Sequence, residues 1–160
     1  SDCPLIDPNV IDKVIKKFEK NEYDYVANNI EKINGKWNNS MCNFPQGMTV
    51  EISSFKVLRI AWEKAKKHSE REHVFPYIPF NPKYFKISKF KMKQNLSHIR
   101  CTVDRREDLM FVRSLYNKIG YEKIISIKDI EKIVNKEPKL VLINNKIPFD
   151  EGYKKSIIMD

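Results

Sequence analysis

The sequence of 160 residues is 41% hydrophobic, which supplies enough apolar side chains for one domain core and excludes an intrinsically disordered chain. Its formal charge of +9 favours anionic partners, but only six of the 30 basic residues are arginine and the lysines are scattered, so we expect no nucleic-acid partner. The sequence has no run of about 18 uncharged apolar residues and does not open with a basic segment followed by an apolar one, so we expect a cytoplasmic protein with no membrane partner.

The first eight residues, Ser-Asp-Cys-Pro-Leu-Ile-Asp-Pro, have the pattern of a buried strand end that leads into a helix. Because no strand residues precede this pattern, we expect the chain to be the C-terminal portion of a larger α/β enzyme. Asp2 would then lie beyond the carboxyl end of a strand, where open α/β sheets bind their ligands. Asp7 is predicted to cap a helix that starts at Pro8 and continues to about Lys20, since apolar residues recur there at helical spacing.

The next part of the sequence predicts two strands separated by a polar loop. Residues 23–28 are β-branched and aromatic, residues 34–40 are rich in Asn and Gly, and residues 48–53 follow a Phe-Pro-Gln-Gly segment. Ser54 is predicted to cap a helix that ends near Lys67. The polar loop is a candidate for function, because binding residues are often carried on loops.

The second half of the sequence predicts the same alternation of strands and helices. Residues 83–93 form a lysine-rich amphipathic strand, and residues 99–103 form a strand that ends at Asp104, where a helix begins. A last helix is predicted over residues 127–134, and the chain from Pro138 onward is predicted to be extended or irregular. We therefore expect all 160 residues to form a single unit of α/β class.

Asp2 and Asp104 both stand at predicted strand-to-helix junctions. Mg²⁺ prefers one or two carboxylate ligands and completes its coordination with water and substrate phosphate, so this pair predicts a magnesium site for phosphoryl or nucleotidyl transfer. The pattern leaves a second interpretation open, in which each aspartate only caps its helix. Asp7 and Asp108 are interpreted as capping or helix-surface acids.

Five segments of the sequence occur together in one order. They are Asp-Cys-Pro-Leu-Ile-Asp-Pro at 2–8, Phe-Pro-Gln-Gly-Met-Thr-Val-Glu-Ile at 44–52, Arg-Glu-His-Val at 71–74, Thr-Val-Asp at 102–104 with Glu-Asp at 107–108, and Glu-Gly-Tyr at 151–153. Over essentially the whole chain they resemble the cytidylyltransferases of the spore-coat-polysaccharide type, relatives of the acylneuraminate and 3-deoxy-manno-octulosonate cytidylyltransferases.

The resemblance implies a Rossmann-like three-layer nucleotide-diphospho-sugar transferase fold, lacking its N-terminal nucleotide-binding strands. It implies that the complete enzyme uses CTP and Mg²⁺ to activate an acidic or modified sugar, releasing pyrophosphate and giving a CMP-sugar for surface polysaccharide biosynthesis. Asp2 and Asp104 match the two metal-binding aspartates of the family. No residue of this sequence is assigned as a catalytic base.

The resemblance also implies a set of substrate-binding residues. They are Gln46, Gly47, Glu51, Arg71, Glu72 and His73. Arg71 would bind a sugar carboxylate or phosphate and His73 would orient a hydroxyl; a helix-terminal salt bridge with a packed histidine is the equally open alternative. Gln46 and Thr49 replace acids of the family pattern, which leaves the sugar undetermined.

The N-terminal strand and basic triphosphate loop of the family have no counterpart in the sequence. We therefore expect the chain to be inactive alone, with CTP and sugar bound by the complete protein, and the resemblance implies a homodimer. The alternative function is a degenerate, non-catalytic sugar-binding module. That alternative is favoured by the acid replacements and by Arg105 and Arg106, which follow Asp104 where the family has Thr-Pro.

Overall fold

The computed structural model describes residues 2–20, 22–40 and 42–160 and shows a mixed α/β fold. The helices are α1 (Pro8–Lys20), α2 (Phe55–Lys64), α3 (His68–Glu72), α4 (Tyr77–Phe80), α5 (Arg106–Ile119), α6 (Ile127–Lys136) and α7 (Glu151–Ile158), with a 3₁₀ helix at Pro138–Ile143. The strands are β1 (Tyr25–Ala27), β2 (Ile30–Ile33), β3 (Lys36–Asn39), β4 (Glu51–Ser53) and β5 (Ile87–Lys89). Among the described residues, no helix is both long and apolar enough to cross a membrane.

Strand β1 is the centre of a small sheet with the order β4-β1-β5. Val26 in β1 lies opposite Ile52 in the antiparallel strand β4 and opposite Ser88 in the parallel strand β5. All three residues of β1 are buried, as expected for a strand that has neighbours on both edges and is covered on both faces. Strands β2 and β3 form a separate antiparallel hairpin.

Two apolar clusters flank the sheet. The larger one contains the inner faces of α1, α5 and α6, with Val14, Phe111 and Ile130 fully buried. The smaller one surrounds Tyr25 and Ile78 and includes the inner face of α2. Burial of these side chains is the main favourable contribution to folding, since apolar surface removed from water stabilises in proportion to its area.

Local capping signals predict the helix starts correctly. The backbone N–H of Asn9 donates to Asp7 Oδ1 at 2.9 Å, and that of Val57 donates to Ser54 Oγ at 3.3 Å. Both side chains therefore satisfy backbone donors that the first helical turn leaves without partners. Helix α2 ends at Lys64 instead of near Lys67, because Ala65 leaves the helical region with a ψ of 125°.

The predicted polar loop at 34–40 is wrong: this segment is the turn and second strand of the β2–β3 hairpin. Asn34 and Gly35 form the turn with φ values of 49° and 79°. Two consecutive positive φ values match the right-handed twist of the flanking strands, and Asn-Gly is the dipeptide that adopts them most readily. The hairpin was missed because its strands are polar and only partly buried.

Three further predictions need correction. Residues 99–103 are not a strand: within the described chain they make one isolated parallel bridge, between Gln46 and Arg100. The lysine-rich segment 83–93 contributes only the three residues of β5 to the sheet. The chain beyond Pro138 contains the 3₁₀ helix and α7 and is not irregular. The proline occupies the first turn of the 3₁₀ helix, where its missing N–H is not needed.

Candidate active site

A cleft of about 450 Å³ lies where the chain around Gly47 meets the segment that precedes α5. We call it the main cleft and define it by Asp2, Gln46, Arg100, Asp104 and Tyr153 in its walls. Its volume lies within the range of small-molecule binding sites, roughly 300–1,000 Å³. One wall is formed by residues 148–153 and Lys155, from the region that the sequence predicted to be irregular.

Gly47 allows two backbone segments to meet at the floor of the main cleft. Its φ is +82°, and a Cβ placed there would approach the backbone nitrogen of Thr102 to 2.5 Å. Backbone hydrogen bonds on either side fix this approach, from Gln46 N–H to Ile99 O and from Cys101 N–H to Gln46 O, both at 2.9 Å. Any side chain at this position would therefore force the two segments apart.

The structure brings Asp2 and Asp104 to the same cleft. The carbonyl oxygen of Asp2 accepts hydrogen bonds from the backbone N–H of Val103 at 2.7 Å and from Thr102 Oγ1 at 2.9 Å. These bonds hold the backbone of Asp2 beside Thr102 and Val103, which immediately precede Asp104. The proximity predicted from two strand-to-helix junctions thus exists, although residues 99–103 are not a strand.

Arg100 is the centre of a buried polar network behind Asp104. Its side chain is 8% exposed; Nη2 donates to Asp104 Oδ2 at 2.5 Å, Nε to Asp108 Oδ1 at 2.9 Å and Nη1 to Gln46 Oε1 at 3.2 Å. A guanidinium presents its donors in a rigid planar fork, so these bonds fix the orientation of the Asp104 carboxylate. Asp104 remains 49% exposed and faces the cleft.

Asp108 is fully buried, so of its two interpretations, a capping acid or a helix-surface acid, the structure excludes the second. Its carboxylate also accepts from Asn144 Nδ2 at 2.9 Å and from the backbone N–H groups of Asp104 and Arg105, both at 3.1 Å. Burial acts to raise the pKa of Asp108, but the hydrogen bonds from Arg100 and Asn144 outweigh it and hold this pKa below its usual value. The capping part of the interpretation is correct, since Asp108 caps the start of α5.

The donor set at the main cleft fits Mg²⁺. Asp2 and Asp104 supply two accessible carboxylates, and the described residues contain no cluster of three or more metal-ligating side chains. Two carboxylates with open positions suit a hard cation that retains water and binds substrate phosphate. Burial and the neighbouring Asp2 raise the pKa of the Cys3 thiol to about 11, so this thiol is protonated near neutral pH.

Of the Arg-Glu-His motif, only His73 lines the main cleft. Arg71 Nη1 donates to the carbonyl oxygen of Trp62 at 2.8 Å, and its guanidinium lies 5.4 Å from the centre of the Trp62 ring. Glu72 is within 3.4 Å of His68 and 3.8 Å of His73. The structure therefore places Arg71 and Glu72 outside the cleft lining. Glu72 pairs with histidines as in the salt-bridge alternative, whereas Arg71 contacts the Trp62 backbone and ring.

His73 is oriented by α7. Its Nε2 lies 3.0 Å from Ser156 Oγ, and its ring meets the edge of the Tyr153 ring at 5.2 Å between centroids. These contacts leave the imidazole facing both the main cleft and a smaller cavity. An oriented imidazole at that place can exchange a hydrogen bond with a bound hydroxyl.

The smaller cavity, which we call the side chamber, has a volume of about 140 Å³ and is defined by Tyr25, Asn29, Glu51, His73 and Asp150. Asn29, His73 and Asp150 also line the main cleft, so the two spaces adjoin. Glu51 accepts hydrogen bonds from the Tyr25 hydroxyl and from the Asn29 side chain. Burial nevertheless raises the pKa of Glu51 above its usual value.

Of the remaining predicted binding residues, Gln46 and Gly47 line the main cleft and Glu51 lines the side chamber. Sequence reasoning missed Asn29, between β1 and β2, and Asp150, directly before α7. Two signals in the sequence could have located them. The Asn34-Gly35 turn marks the hairpin that begins after Asn29, and an aspartate before Glu-Gly-Tyr is a typical residue for the start of a helix.

The sequence is similar to two curated proteins. The chain is 30% identical over 148 residues to the uncharacterized protein MJ1063 of Methanocaldococcus jannaschii, covering 91% of this chain and 55% of that protein. It is 23% identical over 142 residues to the spore coat polysaccharide biosynthesis protein SpsF of Bacillus subtilis, covering 86% and 53%. The chain therefore spans about half the length of the curated relatives it matches.

The fold is also similar to part of a solved structure. A cytidylyltransferase from Leptospira borgpetersenii superposes with a TM-score of 0.75 at 26% identity, over 92% of this chain and 58% of the other. The family model described as Cytidylyltransferase matches residues 1–147, which include Asp2, Gln46, Gly47, Arg100 and Asp104 of the main cleft. The match extends over most of the sequence, and the chain belongs to the cytidylyltransferase family.

Proposed function

We propose that the natural protein containing this chain transfers a cytidylyl group from CTP to an acidic or modified sugar, in a Mg²⁺-dependent reaction that serves surface polysaccharide biosynthesis. The observation that carries the proposal is the pair of carboxylates, Asp2 and Asp104, at one cleft of suitable volume. Family membership and the similarity to SpsF support the reaction class and its setting. We place the reaction in the cytoplasm, where CTP is available. We also propose that the natural protein is a homodimer, as the family resemblance implies.

In the proposed reaction, an oxygen of the sugar hydroxyl forms a bond to the α-phosphorus of CTP. The bond from that phosphorus to the bridging oxygen of the β-phosphate breaks, pyrophosphate leaves with the electron pair, and the hydroxyl proton passes to solvent. Asp2 and Asp104 would hold Mg²⁺, which supplies charge neutralisation on the phosphates. Since the match covers only about half the length of these relatives, we propose that CTP binding also uses residues of the natural protein outside these 160 and that the chain alone is inactive.

The residues of this chain contribute mainly by positioning. Arg100 fixes the Asp104 carboxylate through Nη2, and Thr102 fixes the backbone of Asp2 through its hydroxyl. Arg105 and Lys155 also line the cleft, each paired with Glu151, at 2.7 and 3.0 Å. The same lining carries the carboxylates of Asp2, Asp104, Asp150 and Glu151, so these cations would act on a triphosphate locally, as positioned charges that need no reorganisation during the reaction.

Pyrophosphate release by the natural protein tests the proposal. We expect release that requires CTP, Mg²⁺ and a sugar together, and we expect Asp104→Asn to reduce it by about a hundredfold or more, as the loss of one group that stabilises transition-state charge does. Asp12→Asn, on the exposed face of α1, is the matched control and should leave the rate unchanged. Absence of release with every sugar tested, in a folded protein, contradicts the proposal.

A non-catalytic sugar-binding module is the second candidate function. It is favoured by one observation, the close ion pair between Arg100 and Asp104, which occupies an oxygen that a metal ion would use. The pyrophosphate-release assay distinguishes the two candidate functions. A binding module would retain sugar affinity, and neither the wild type nor Asp104→Asn would release pyrophosphate.

A further inference from the structure

A second cavity of small-molecule size lies outside the main cleft. Its volume is about 470 Å³, and among the described residues it shares no lining residue with the main cleft. We call it the lysine pocket and define it by five residues in its walls, Lys13, Phe44, Phe90, Lys93 and Lys128. The volume is within the range of small-molecule sites, roughly 300–1,000 Å³.

The lysines of this pocket come from three separate elements. Lys13 belongs to α1, Lys91 and Lys93 to the segment after β5, and Lys128 to the first turn of α6. Lys91 pairs with Glu31 at 3.1 Å. Lys13, Lys93 and Lys128 are exposed and form no ion pair within residues 2–20, 22–40 and 42–160. Because like charges held around one cavity repel one another, an anion that binds between them is favoured.

Two carboxylates also line the lysine pocket, and one of them is occupied internally. Asp7 is buried; its Oδ1 accepts from the backbone and side-chain nitrogens of Asn9 at 2.9 and 3.0 Å, and its Oδ2 accepts from the Ile127 N–H at 3.0 Å. Glu131 is half-buried and has no ion pair in the described part of the chain. Four lysines and two carboxylates therefore leave the lining with a net positive charge.

The apolar part of the lining includes an aromatic pair. Phe44 is fully buried, and its ring centroid lies 5.9 Å from that of Phe90. Phe90 is half-buried, as is Met92 two residues further along the chain, and both line the pocket. A partly exposed ring that is backed by a buried ring offers a fixed apolar surface on which a flat ring can stack. The lysine pocket thus combines cations with an aromatic surface.

We propose that the lysine pocket is a second ligand site, which binds a nucleoside phosphate with its phosphates paired to the lysines and its base stacked on Phe90. A nucleoside phosphate carries the two groups that these walls complement, a compact anion and a flat ring. Gln94, also in the lining, offers an amide to the edge of the base. The inference does not rest on the proposed function, because the pocket contains neither Asp2 nor Asp104.

Three compounds that share parts of one molecule test the inference. ADP carries a diphosphate and a base, pyrophosphate only the anion, and adenosine only the base with its ribose. Their binding to the chain is measured by calorimetry at low ionic strength, with a chelator that removes divalent metal. We expect ADP to bind at least about tenfold more tightly than either part, because pairing and stacking both contribute. ADP binding no tighter than that of pyrophosphate or adenosine, or no measurable ADP binding, overturns the inference.

Two variants assign the binding to the lysine pocket. Lys128→Gln should weaken ADP binding by about fivefold, the effect of one lost charged contact. Phe90→Leu should weaken it by about tenfold and leave pyrophosphate binding unchanged, because only stacking is lost. Lys136→Gln is the matched control, since it removes the same charge from the last turn of α6, outside the lining. Equal effects of Lys128→Gln and Lys136→Gln contradict the assignment.

Glu131→Gln tests the charge argument in the opposite direction. The amide is nearly the same shape as the carboxylate but carries no charge, so the variant removes an acid that opposes a bound phosphate. We expect ADP binding to become about threefold tighter, a gain that a misfolded protein cannot produce. Unchanged or weaker ADP binding in this variant overturns the inference.

Arg105→Gln distinguishes the lysine pocket from the main cleft as the place where ADP binds. Arg105 lines only the main cleft of these two spaces, so its substitution should leave ADP binding by the metal-free chain unchanged. A loss as large as that of Lys128→Gln would place ADP in the main cleft and overturn the inference.

Discussion

Asp108, buried behind the main cleft, and Glu51, half-buried in the side chamber, are carboxylates with different surroundings. Asp108 behind the main cleft accepts from the Arg100 cation, from Asn144 and from two backbone N–H groups. Glu51 in the side chamber accepts from two neutral side chains, Tyr25 and Asn29. A carboxylate that accepts from a cation is stabilised in its ionised form, whereas burial among neutral donors disfavours that form, so the pKa of Asp108 is lowered and that of Glu51 is raised.

Asp108→Ala should produce the largest change, because it leaves the Arg100 guanidinium buried with its principal partner removed. Removing one partner of a buried ion pair costs about 3–5 kcal/mol, and we expect the free energy of unfolding to fall by this amount. Denaturant unfolding followed by circular dichroism measures it. Glu107→Ala, at the exposed neighbouring position, is the control, and equal effects of the two substitutions would show that the network is not a stabilising structure.

Gly47→Ala tests whether the floor of the main cleft depends on a close backbone approach. We expect a loss of roughly 2–3 kcal/mol in unfolding free energy, because strain from a positive φ adds to the clash with Thr102. Gly35→Ala is a closely matched control: its φ is +79° against +82°, but nothing lies within 4 Å of the added Cβ. It should cost only the strain of the left-handed conformation, about 1 kcal/mol. Similar losses in thermal unfolding would contradict the close-approach explanation.

Asp104→Asn examines the exposed side of the same network. The substitution removes the charge of a proposed metal ligand while retaining a group that can accept from Arg100 Nη2. Mn²⁺ titration of the chain, followed by electron paramagnetic resonance, should show binding weakened by about tenfold or more, the scale seen when residues of a metal site are changed. Asp12→Asn should leave the titration unchanged, and an equal response of the two variants would remove Asp104 from the metal site.

Much of the fold near α1, α2 and α6 was predictable, because local signals determine where these helices begin. Asp7, Ser54 and Ser126 each accept a backbone hydrogen bond in the first turn, as the identity of a capping residue indicates. The juxtaposition of Asp2 and Asp104 was also predictable, although for a partly incorrect reason. It depends on hydrogen bonds from residues 102 and 103 to Asp2 O and not on two neighbouring strands.

The side-chain arrangement of the site was less predictable, because it depends on contacts between distant parts of the chain. The burial of Asp108 had a signal, since it shares a helix face with Val112 and Leu115, but its partner Asn144 lies 36 residues away. The contact of Arg71 with Trp62 had no comparable signal. Sequence motifs identify residues that belong to a site, whereas tertiary packing decides which of them face it.

Glu51→Gln should have the smallest effect on stability, and its dependence on pH should be opposite to that of Asp108. Because folding raises the pKa of Glu51, the ionised carboxylate destabilises the native state above that pKa, and the amide should raise the melting temperature slightly at neutral pH. This advantage should disappear as the pH falls through the raised pKa toward 4.5, since Glu51 is then protonated in both folded and unfolded chains.

Asp108→Asn is the counterpart in the same experiment. Folding lowers the pKa of Asp108, so its carboxylate stabilises the protein at pH values above 3.8, and this contribution is lost as the pH falls from 3.8 through the lowered pKa. The asparagine variant should therefore be less stable than the wild type at neutral pH and should approach it in acid. Thermal unfolding of both variants between pH 3 and pH 8 tests whether their melting-temperature differences from the wild type have opposite signs. This window extends from about one unit below the usual aspartate pKa to well above that of glutamate. Two melting-temperature differences of the same sign at neutral pH would show that the carboxylates of the main cleft and the side chamber are not in contrasting surroundings.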